Sequence, residues 1–85
     1  MGPTFSTAAL DARERALDAA SVYLASLAGD HQEAIRRCHV AKTFLGMGHV
    51  RQSEMAFRAV KTACEAAKVS NPTLEKQIRG ARDLP

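Results

Sequence analysis

Hydrophobic side chains return at helical spacing along almost the whole chain, and the returns set out its elements. Leu10, Leu17 and Leu24 stand seven residues apart, with Ala20 and Leu27 in the neighbouring row. Seven residues are nearly two helical turns, so these side chains form one apolar stripe and predict a first helix from Thr7 to Ala28. Asp11, Glu14, Arg15 and Asp18 fall on the opposite side, with Asp11 and Arg15 spaced as an i,i+4 ion pair. Gly29 then provides a residue able to take the left-handed conformation that ends helices.

Asp30-His31-Gln32-Glu33 has the form of a capping box, an aspartate N-cap answered three residues later by glutamate, and predicts a second helix over 30–46. This helix is apolar on two sides. Ala34, Cys38, Ala41 and Leu45, with Ile35 beside them, make one stripe, and Val40, Phe44 and Met47 make another nearly opposite. Two-sided helices are usually internal, so this element is expected to be the central one. The second stripe then has two outcomes: it packs against the first helix, or it leaves an apolar patch for a partner.

Gly46-Met47-Gly48 closes that helix, and Val50, Phe57, Val60, Cys64 and Ala67 define a third over 50–68. Ala56, Ala59, Ala63 and Ala66 widen its contact face, while Arg51, Glu54, Arg58, Lys61, Glu65 and Lys68 form its polar stripe. Ser70-Asn71-Pro72 places a capping residue before a proline at the first helical position. A short fourth helix, Pro72 to Ala81, is expected to bury Leu74 and Ile78. The fold class is therefore all-α, a small antiparallel helical bundle of three main helices and a short C-terminal one. Residues 7–81 make one domain between a flexible leader, 1–6, and a frayed tail, 82–85.

Composition sharpens this picture in two places. Eighty-five residues hold a single domain, and with one Tyr, three Phe and no Trp the core must come from Leu, Ile, Val, Met and Ala. Modest stability follows, and a second copy of the chain is one partner that such a core admits. The N-terminal residues have no signal-peptide pattern, and no window approaches the roughly 18 apolar residues of a membrane span, which points to the cytoplasm and away from membranes. Gly2 and Ser6 match the bare myristoylation spacing, but Pro3 stiffens the segment that would have to thread into the transferase. Cys38 and Cys64 are offset by on the order of 9 Å along the expected hairpin, beyond disulfide reach, and are expected to be reduced thiols.

No constellation supports chemistry. His31, Cys38, His39 and His49 lie close in sequence, yet none forms the i,i+4, CxxC or HxxxH spacing of helical zinc sites, so no metal is expected. Nucleophilic or acid–base catalysis needs a nucleophile, a base and an orienting group that converge, whereas the carboxylates here sit at helix starts or in charge-alternating stripes. Gly46-Met47-Gly48 lacks the strand and the Gly-Lys-Ser ending of a phosphate loop. The chain is not expected to be an enzyme or to bind a cofactor.

Charge is uneven along the chain. Residues 1–33 hold two basic and five acidic side chains, net −3, whereas residues 34–68 hold seven and two, net +5. Arg36, Arg37, Lys42, Arg51 and Arg58 are the residues that would face nucleic acid if they share a surface. In the same hairpin, Val40-Ala41, Phe44, Gly48, Ser53 and Phe57 stand at spacings that resemble the large, small and aromatic positions of a tetratricopeptide repeat. The resemblance covers residues 37–60 and departs at Arg37, at Val60 and at the late Pro72. It implies a helical hairpin of the kind that stacks into peptide-binding grooves, and it transfers no ligand residues. The function expected is a non-catalytic protein–protein interaction module using Val40, Phe44 and Met47: an adaptor, a co-chaperone or an inhibitor of a larger machine. The alternative is nucleic-acid binding through the positive hairpin.

Overall fold

The computed structural model describes residues 5–85, which form four helices: α1 Thr7–Ser26, α2 Gln32–Gly46, α3 Arg51–Ala66 and α4 Pro72–Asp83. The Gly2 acylation spacing and the first four residues of the expected leader lie outside the described residues. Ser6 is the N-cap of α1, its hydroxyl accepting from the Ala9 amide at 3.0 Å. That satisfies one of the amides a helix start leaves without a partner. The same residue donates from its amide and its hydroxyl to the Pro85 carbonyl, at 3.2 and 2.9 Å. The segment expected to fray therefore continues α4 to Asp83, anchored by Ala81, which is buried in the core, and by an ion pair from Arg82.

α1, rather than α2, is the central helix. It packs on α2, α3 and α4, whereas α2 packs on α1 and α3 alone. Ala9, Ala16, Leu17, Ala20 and Leu24 are all shut off from solvent on α1. Small residues alternating with leucine let neighbouring backbones come close while each leucine contributes about 2 kcal/mol of burial. α2 buries Ala34, Cys38, Ala41 and Leu45 and leaves its other side uncovered. The Cα envelope is a slab 42 × 22 × 16 Å, so a helix at its edge has no second layer over its outer side.

The helix ends differ from the sequence pattern in instructive ways. α1 stops at Ser26 because Leu27 turns extended, its amide closing on the Leu24 carbonyl, and Gly29 (φ +101°) reverses the chain two residues later. The capping box does not form. His31 is the N-cap of α2, Asp30 accepts only from the Gln32 amide at 3.1 Å, and Glu33 turns to Arg36 and Arg37. A two-residue side-chain turn and two ion pairs replace the reciprocal bonds. α2 and α3 end alike, with a 6→1 bond (His49 amide to Phe44 carbonyl, Val69 amide to Cys64 carbonyl) around a left-handed residue. That residue is Gly48 (φ +81°) in α2 and Lys68 (φ +56°) in α3. α4 begins as its sequence predicts, Asn71 accepting from the Leu74 amide ahead of Pro72.

Candidate functional site

The second stripe of α2 faces outward. Val40 is 37% and Met47 58% exposed, and Phe44 is half-buried between them. None of the three belongs to the buried core or to the half-buried side chains packed against it, whereas Cys38, about 200° round α2 from Val40, is sealed inside. On the same hairpin Met55 of α3 is 39% exposed. It borders a shallow depression of about 530 Å³ whose floor is Ala34, Ala59, Ala63 and Ala66. Alanine floors such a depression because its side chain ends at Cβ and leaves the space above it open.

The five basic residues of the hairpin do not form one surface: Arg37 and Arg58 meet on the rim of the shallow depression, with Arg36 beside them on Glu33, while Lys42 and Arg51 do not line it. Arg36 and Arg37 share one carboxylate, Glu33, at 2.8 and 3.2 Å. Hydrogen bonding from Arg36 lowers the Glu33 pKa and raises that of Arg36 in return. Lys42 turns to the flank facing α1, where it pairs with Asp18, a hydrogen bond that raises its pKa. Arg51 is exposed at the first residue of α3, and Arg58 is exposed on the rim of the shallow depression. The net +5 of residues 34–68 is thus spread over several directions, and part of it is already neutralised by neighbouring carboxylates.

A buried polar cluster was not anticipated from the chain. Arg13 of α1 is only 3% exposed and donates from Nη1 to Ser53 Oγ of α3 at 2.8 Å. Its Nη1 lies 3.8 Å from Glu54 Oε2, and its guanidinium carbon 5.6 Å from the centre of the Phe5 ring. Arg82 of α4 approaches the same Glu54 oxygen to 2.7 Å as an ion pair without a well-aligned hydrogen bond. Burial presses the Arg13 pKa down, and Glu54 opposes that pressure. The cluster ties α1, α3 and α4 together at one end. A signal for it exists: Leu27, Ala20 and Arg13 form one row at seven-residue spacing, so Arg13 occupies a core-facing place. A guanidinium there has to carry its own partners inward.

Cys38 is fully buried, and desolvation pushes its thiol up to about 11; Cys64 is half-buried, and its pKa is raised in the same direction. Both are free. Among the described residues no three His, Cys, Asp or Glu side chains gather as a metal site requires, and no helix is long and apolar enough to cross a membrane. No protein-family model, curated protein or solved structure matches this chain. The tetratricopeptide-like spacing of residues 37–60 therefore rests on those residues alone.

Proposed function

We propose that this protein is a non-catalytic interaction module that docks a partner protein through the outer face of α2. The supporting observation is the exposed stripe of Val40, Phe44 and Met47 on a helix whose opposite side is already buried. An apolar row with no layer over it gains free energy when covered, by about 25 cal/mol for each Å² removed from water. The neighbouring Arg36, Arg37 and Glu33 form a polar border, the arrangement of an interface with an apolar centre and a charged rim.

The test is capture of partners from lysate on immobilised protein, with and without nuclease and at low and high salt. The same capture is run with the Val40→Ser, Met47→Ser double variant. A protein partner that survives nuclease and salt but is lost on the double variant, with the thermal midpoint unchanged, is the expected result. Phe44→Ala is expected to weaken capture while costing less than the roughly 3 kcal/mol typical of a core phenylalanine. Capture that vanishes with nuclease overturns the proposal in favour of nucleic acid held by Arg36 and Arg37.

A further inference from the structure

α3 and α4 both lean on α1 but barely touch each other. Between them runs a groove of about 480 Å³. Its floor is apolar: Phe57, Val60 and Leu74 lie almost fully buried at the bottom, with Ile78 and Cys64 half-exposed above them. Its lining extends from Asn71 to Arg82 along α4, a run of about 16 Å or three helical turns. The rim is basic. Arg58, Lys61 and Arg79 have no ion-pair partner among the described residues, and Arg82 is held by Glu54. Glu75 is the remaining carboxylate on the rim.

From this we infer that the α3–α4 groove docks an acidic amphipathic helix of a partner protein. The inference rests on the reading of the chain as an interaction module, but not on the α2 stripe. A groove three turns long with an apolar floor matches side chains at i, i+3 or i+4, and i+7 of one helix face. Three unpaired cations against one carboxylate select acidic residues flanking that face. A small anionic amphiphile is a poorer match, because such ligands bind where most of their surface is enclosed, and this groove is open along its length. Single-stranded nucleic acid is poorer too, because base stacking needs an exposed aromatic face and Phe57 is only 4% exposed.

Cys64 makes the groove measurable, since it is the accessible thiol and Cys38 is sealed inside. The probe is a synthetic helical peptide with leucines at i, i+4 and i+7 flanked by glutamates, added to the full chain. Alkylation of Cys64 by N-ethylmaleimide is followed by peptide mapping, and binding by fluorescence anisotropy. The expected result is saturable binding that slows Cys64 alkylation and weakens with salt. Lys61→Glu combined with Arg79→Glu is expected to lower the affinity by roughly tenfold or more without moving the thermal midpoint. Equal binding of a peptide with lysine in place of glutamate overturns the inference. So does protection of Cys64 by dodecanoate but not by the peptide, or protection that grows with protein concentration alone, which marks a second copy as the occupant. Peptide binding lost in the Val40→Ser, Met47→Ser variant but kept in the Lys61→Glu, Arg79→Glu variant moves docking to α2. That result sinks the groove and leaves the interaction-module reading standing.

Discussion

α3 has two flanks, and they are built differently. Toward α2 the hairpin is built on alanines: Ala41 and Ala56 are fully buried where the helices close on each other, and Ala34, Ala59 and Ala63 line the shallow depression beside them. Toward α4 they are Phe57, Val60, Leu74 and Ile78, and the helices stay apart over an open groove. At Ala41 and Ala56 a short Cβ lets the two backbones approach, while the larger side chains toward α4 fill their own space and hold the second helix off. The cysteines mark the contrast: Cys38 is sealed on the inner face of α2, and Cys64 looks into the groove.

The largest test of this contrast lies on α1, which carries both neighbours of α3. Leu17→Ala removes a fully buried side chain there and is expected to cost about 3 kcal/mol in chemical denaturation, with both flanks loosened together. Next is the pH response of the sealed thiol. Cys38 is raised from 9.0 to about 11, so between those values the folded chain keeps a proton that the unfolded chain has lost. Its contribution is complete below about pH 9 and fades as pH rises towards 11, a loss of about 2–3 kcal/mol that Cys38→Ala abolishes in pH-dependent denaturation. Ala56→Leu forces extra methylenes into the closed seam and is expected to cost about 2 kcal/mol. Lys68→Gly relieves a left-handed residue that Gly48 already occupies at the matching position of α2, and should raise stability by about 0.5–1 kcal/mol. Smallest is Cys64→Leu, which adds bulk to the open groove. A stability change within about 0.5 kcal/mol is expected, against the clear loss from the same bulk at Ala56. Equal costs at the two positions would erase the distinction between the flanks.

Much of the architecture was legible because helical periodicity is a local property. The Leu10, Leu17, Leu24 stripe, the start of α4 at Asn71-Pro72 and the inner face of α2 all follow from spacing alone. The capping box at Asp30 was not, because Glu33 had competing partners one turn ahead in Arg36 and Arg37, and two guanidiniums outcompete a single backbone amide for its carboxylate. The basic residues of the hairpin were legible as a count but not as a surface. Lys42 answers to Asp18, a residue 24 positions away.

What the chain settles by itself is which side of each helix is apolar and, to within a turn, where each helix lies, since both depend on neighbours within a turn or two. Which apolar side finds a cover is a property of the assembled bundle. α2 carries two such sides, and the slab has one layer to offer it, so Cys38 goes inside and Met47 stays out. Arg13 follows the same rule in reverse. Its row dictates that it points inward, and only the fold supplies Ser53 and Glu54 to receive it, because burying a charge is tolerable where distant segments bring it partners.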